Sequence, residues 1–188
     1  MSPFVFVGGN PVLDFVNTTL ALKGPVDLLE TPADLMEWWG SAREMYPALP
    51  NLSGAITAHT LERAKGLRSV LRTELGHAIE HGNLSDALLF ELNAILHEAR
   101  PYVARERDRA SVKLAADHPD QQLVVELARL AAHLAGSNEI SRIHSCENSR
   151  CSVLFVDRTK NAARRWCSTL CFDQTRARKR RLRRASSA

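Results

Sequence analysis

All four cysteines of this 188-residue chain fall between positions 146 and 171, and that clustering constrains the fold more than any other feature. The spacing is C-x4-C, fifteen residues, then C-x3-C. Two close pairs separated by a loop suit a tetrahedral ion, because each pair supplies two thiolates from one turn and the loop returns the second pair opposite the first. Free core thiols and disulfides are the competing readings, and tight clustering favours metal over both. The spacing therefore predicts one zinc held by Cys146, Cys151, Cys167 and Cys171. Four thiolates complete the shell and leave no position for water or substrate, so this zinc is expected to be structural. A segment of about 40 residues makes a poor core by itself. The metal should supply the missing folding energy, under an apolar cap of Leu154, Phe155, Trp166 and Phe172.

Charge divides the chain at the same place. Residues 1–145 carry 13 Lys/Arg against 18 Asp/Glu, whereas residues 146–188 carry 12 against 3. A strongly basic segment after a metal site points to a polyanion partner, DNA first and RNA as the alternative. Its densest part is Arg176, Arg178, Lys179, Arg180, Arg181, Arg183 and Arg184, with Leu182 the only large apolar side chain after Phe172. On a helix these charges would occupy every face, so the run reads as an arm that orders on phosphates; a solvated tail that only aids solubility is the alternative. Arg164 and Arg165, close to the metal, are expected to make the more fixed contacts. Trp166 is expected to pack rather than to stack on a base.

Residues 1–138 read as a mainly α, helical domain with short β hairpins, followed by a small four-cysteine zinc-finger module at 139–188. Pro3 to Val7 and Val12 to Phe15 read as extended runs around a Gly8-Gly9-Asn10-Pro11 turn. Thr31-Pro32 opens a helix running toward Tyr46. Apolar residues at three- and four-residue steps predict a long helix over 53–81, closed by Gly82, and Ser85 caps another. Weak alternation over 101–107 and 111–116 predicts a hairpin, and Asp120 to Ala135 a further helix. In the last segment, 153–156 reads as a strand and Leu170 onward as helix, with Ala185 to Ala188 frayed.

Three other constellations compete for function. His77-Ala78-Ile79-Glu80-His81 has the H-x-x-E-H order of inverted zinc peptidases, which would make the protein a metalloenzyme with Glu98 or Glu126 as third ligand. Against that, Gly82-Asn83 ends the helix at once, and helix-end histidines commonly interact with the dipole. Asp14, Asn17 and Thr18 could line a small-ligand pocket or fix the adjacent turn, as such side chains often do. Trp38 and Trp39 are neighbours, so one is expected in the core and the other at the surface or a partner, such as a second copy of the chain. Lacking a long apolar run or a leader-like start, the chain is expected to be soluble and cytoplasmic.

The residues CENSRC, LFVDRTKN and RRWCSTLC, followed by a basic helix, resemble the CGNR-type zinc finger. GGNPVLDFVNT and DLLETPADLMEWW resemble the ABATE domain joined to that finger in bacterial proteins described as stress-induced transcription regulators. The resemblance implies a helical sensing or dimerising domain, a structural zinc and a DNA-contacting finger. Where the family has Cys-Gly-Asn-Arg, this chain has Cys171-Phe172-Asp173-Gln174. The ligand is kept, while a flexible glycine and a phosphate- or base-contacting arginine are replaced.

Overall fold

A computed structural model describes residues 3–21, 24–52, 54–106 and 108–185; the expectations touching positions 53, 107 and 186–188 lie outside them. The chain begins with a departure from the sequence reading. Val12 to Phe15 is not extended but part of α1 (Pro11–Val16), and the described residues before it form no strand. Asn10 caps the helix by accepting the Val12 N–H, and Pro11 sits at the first helical position, where a missing N–H costs nothing. Gly9, at φ 72°, makes the turn before it. Every residue of α1 from Val12 to Val16 is buried, so the helix is a core element with no polar face to announce it.

A short ladder of β1 (Thr19–Ala21) and β2 (Pro25–Asp27) follows. Next comes α2 (Pro32–Met45), opened by the expected Thr31 cap in a full capping box with Asp34. Both Trp38 and Trp39 are buried, correcting the expectation that one would face outward; the Trp39 indole N–H reaches the Pro50 carbonyl, which lets it enter the core. The long α3 (Ala58–His81) is capped by Thr57 and ended by Gly82 at φ 78°, and it lays Leu61, Ala64, Leu67, Leu71 and Leu75 along one buried stripe. Ser85 caps α4 (Asp86–Leu96), and β3 (Ala99–Glu106) pairs with β4 (Arg109–Ala116) as an antiparallel hairpin.

A single 3-10 turn, Pro119–Gln121, leads into α5 (Gln122–Ala135), which packs against α1, α3, α4 and β4 with eight buried positions. Six consecutive buried residues, Leu123 to Ala128, set the first half of α5 deep in the body, while His133 stays exposed. The last elements are β5 (Ile143–Ser145), antiparallel to β6 (Leu154–Val156), and α6 (Thr169–Ala185). Helices dominate the described residues, and the strands among them pair as two-stranded ladders, so the fold is mainly α with short hairpins. No described helix is long and apolar enough to cross a membrane.

Body and finger share one core. Ile143, Leu154 and Val156 are buried in the same cluster as Phe15, Trp38 and Leu127, while Phe155, on the opposite face of β6, packs with Val153 and the cysteines. Leu154 therefore belongs to the body rather than to a separate apolar cap over the metal.

Candidate metal centre and its basic helix

The metal site is two turns clamped together. Cys146 follows β5, and its N–H donates to the Val153 carbonyl, while the Cys151 N–H reaches back to the Asn148 carbonyl and closes the first turn. The second pair brackets the start of α6: Cys167 precedes it, and Cys171 lies in its first turn with its N–H donating to Ser168 Oγ. A Glu147 N–H to Arg165 carbonyl bond, 2.9 Å, ties the two turns.

The four Sγ atoms lie within 4.8 Å of one another, with Cys151 and Cys167 at 3.8 Å and Cys167 and Cys171 at 3.6 Å. A tetrahedral zinc with bonds of about 2.3 Å needs sulfur separations near 3.8 Å, so the donor set fits. Among the described residues it is the one grouping of three or more metal-ligating side chains. Cys146, Cys167 and Cys171 are buried, and none of the four is in a disulfide. Hydrogen bonding from the Cys167 thiol pulls Cys151 down to about 5; that same bond, with burial, pushes Cys167 far up, and burial pushes Cys146 up. One thiolate is thus favoured and further ones are opposed, which is the repulsion a divalent cation relieves.

The arginines near the metal have structural partners. Arg164 donates to the carbonyls of Trp166 and Cys167 and covers the Phe155 ring at 4.6 Å, so it braces the ligand loop. Arg165 bonds Glu147 and lies 5.3 Å from the Trp166 ring centre. Arg164 is thus tied into the ligand loop, while Arg165 stays exposed beside its ion pair with Glu147. Buried Asp157 anchors the same loop. Burial opposes its ionisation, yet hydrogen bonds from Thr159 and the Arg164 N–H outweigh it and hold the carboxyl at about 2.

The run expected to be an unordered arm is the outer part of α6, continuous with the turn that carries Cys171. Arg178 turns back to Ser149, and Gln174 accepts from Asn148, which docks one side of the helix on the first cysteine turn. At 3.6 residues per turn, Arg176, Lys179, Arg180, Arg183 and Arg184 share an arc of about 140° centred opposite Arg178. All are exposed. The charges thus have a face, which the order of residues alone did not suggest because the docked side was unknown.

Trp166 packs edge-on against Phe172, ring centres 5.0 Å apart, and Phe172 is 39% exposed. The other expected sites fare differently. Asp14, Asn17 and Thr18 are buried and engaged by protein: Asp14 accepts from the Gly8 N–H and Tyr46 hydroxyl, Thr18 bonds Phe15 and Arg68, and Asn17 pairs with both backbone groups of Leu154. They fix the turn and fasten β6 instead of lining a pocket. The His77 and His81 rings lie 4.4 Å apart and tilted at 48° at the end of α3, with His77 Nδ1 3.0 Å from the Asn83 carbonyl oxygen. Glu98 and Glu126, the expected third ligands, are bound by Arg63 and Arg129. Sequence reasoning missed Arg72 of α3, whose guanidinium reaches the Val16, Thr19 and Ser152 carbonyls and joins body to finger.

A helical body fused to a four-cysteine metal module with a basic helix defines a zinc-finger protein. Residues 142–184 match the CGNR zinc finger, and residues 9–138 match ABATE, the family described as "Putative stress-induced transcription regulator". The chain belongs to the ABATE family, with a CGNR finger following that domain and four cysteines positioned for a single structural zinc. No curated protein matches it.

Proposed function

We propose that the protein is a DNA-binding regulator in which the zinc module orients α6 along the phosphate backbone. The observation that carries this is the continuity of Cys171 with a helix whose five exposed cations share one face, centred opposite Arg178. Neutralising phosphates with such a face releases counterions and gives affinity with little sequence preference. In this scheme zinc supplies rigidity to the two cysteine turns and no chemistry, and the protein is not an enzyme. Residues 1–138 serve as the regulatory body and residues 139–188 as the contact module.

If an effector exists, its place is the cavity of about 350 Å³ between β3–β4 and α5, lined by Leu52, Tyr102, Ser111, Lys113, Glu126 and Arg129. The Ser111 hydroxyl is buried there without a hydrogen-bond partner among the described residues.

Truncation after Gln174 removes the seven basic side chains of the run and leaves every cysteine in place. Six phosphate contacts would give a log–log salt slope of about −5 on duplex DNA, and the truncated chain should bind weakly with a much flatter slope. Zinc content should stay at one per chain. Equal affinity and slope before and after truncation would return α6 to a solubility role.

A further inference from the structure

The basic face of α6 does not begin at Arg176. Phe172 lies one turn before it, four residues back, and Thr169 seven residues back, so both project on the same face. There they meet an open cleft of about 360 Å³ lined by Arg164, Trp166, Ser168, Thr169 and Phe172. Arg164 is held by backbone carbonyls and the Phe155 ring, which leaves the cleft's accessible wall aromatic. Phe172 stands where the CGNR pattern has glycine, so the ring is an addition to that pattern.

Duplex phosphates need only the cations. An aromatic ring at the head of a cationic stripe adds a surface that a stacked, paired base cannot use, because pairing leaves its faces covered. An unpaired base can use it, and successive bases over aromatic side chains beside a basic track are how single strands are held. We propose that the cleft holds one unpaired base of a single-stranded nucleic acid, stacked on Phe172, while its flanking phosphates follow Arg176, Lys179, Arg180 and Arg183. This rests on the reading that α6 contacts nucleic acid and narrows it to strands with at least one unpaired base. Ser168 and Thr169 complete the lining of the cleft.

Tryptophan fluorescence offers a direct test, since Trp38 and Trp39 are buried in the body and Trp166 alone of the three borders the cleft. The zinc-loaded full chain is titrated with oligo-dT and oligo-rU of about 15 nucleotides, with an abasic strand of equal charge, and with a duplex of equal length. Oligo-dT or oligo-rU should quench Trp166 and bind more tightly than the abasic strand, and the tighter of the two names the source. Phe172→Ala should weaken that binding roughly 5- to 100-fold, to the abasic level, with the salt slope unchanged. Phe172→Tyr should restore it, and Leu170→Ala, exposed on another side of α6, should leave it alone.

Equal affinity for the base-bearing and abasic strands overturns the inference, as does undiminished binding by a zinc-loaded Phe172→Ala protein. Should that variant lose its metal, the abasic comparison on the unaltered chain decides. Duplex binding that needs α6 but not Phe172 sinks this inference and leaves the regulator reading standing; no binding to any strand sinks both.

Discussion

Asp14 shows how one residue can carry a cost that the fold accepts. Burial raises its carboxyl to about 6 from an ordinary 3.8, against hydrogen bonds from Tyr46, Gly8 and Val7 that favour the charge. Burial and the neighbouring carboxylate push the Tyr46 phenol far up, so it remains a donor, and Arg158 and Glu139 are the other charged groups acting there. Because the folded value lies above the unfolded one, the favourable contribution is complete below about pH 4 and is lost as pH rises through about 6. The difference corresponds to about 3 kcal/mol. Asn at this position keeps an acceptor for Gly8 and offers a donor to the Tyr46 oxygen. Asp14→Asn is therefore expected to be more stable than the parent at pH 7, with the gap closing toward pH 4, in urea unfolding at several pH values. A gap that does not change with pH would refute the assignment. The sequence sets Asp14 beside the Gly8 turn as a polar residue among apolar ones, and only the structure brings the Tyr46 hydroxyl to it.

At the scale of elements, the legible ones carried their own signals. Thr31-Pro32, Ser85 and Gly82 mark helix ends by local chemistry, and the structure places α2, α3 and α4 accordingly. Helix α1 reads as extended in the sequence because its six residues are nearly all apolar and leave no periodicity to count. The loop between α2 and α3 is held by a close approach rather than by composition. A Cβ on Gly54 would lie 2.3 Å from the Pro119 carbonyl oxygen, with nowhere for the rigid turn before α5 to retreat. Gly54→Ala should cost about 1–3 kcal/mol, read as a lowered thermal midpoint, whereas Gly40→Ala, on α2 with open space around it, should not destabilise. Equal midpoints for the two variants would show that the loop yields.

Across the whole molecule, β6 joins the two parts. Leu154 and Val156 face the body, Phe155 faces the cysteines, and Asn17, Arg72 and the Gly8 carbonyl hold the strand and its flank from the body side. Metal binding and folding of the body should therefore be coupled through one strand. Removing zinc with a chelator, or by Cys146→Ser, should lower the midpoint of a single cooperative transition monitored by far-UV circular dichroism. Two separate transitions, with only the smaller one moving, would show that finger and body fold independently. Asn17→Ala should act from the other side: it leaves the Leu154 N–H and carbonyl without their buried partner, at about 1–3 kcal/mol for each group, and should weaken zinc retention as well.

What the sequence by itself determined was local and chemical. Four thiols at that spacing, capped helices and a segment dense in arginine follow from the reach of a few bonds and from side-chain types that do not depend on distant neighbours. What only the tertiary structure decided was which side chains are already engaged. Arg164 and Arg165 look like free cations in the sequence and are held by the ligand loop. Asn17 looks like a pocket residue and is a fastener for β6, 137 residues away. The cations of α6 acquire a face because Arg178 and Gln174 dock the other side. Each of these outcomes depends on contacts that the folded chain alone brings together, and hydrogen-bonding capacity used in such a contact leaves no mark on the order of the residues.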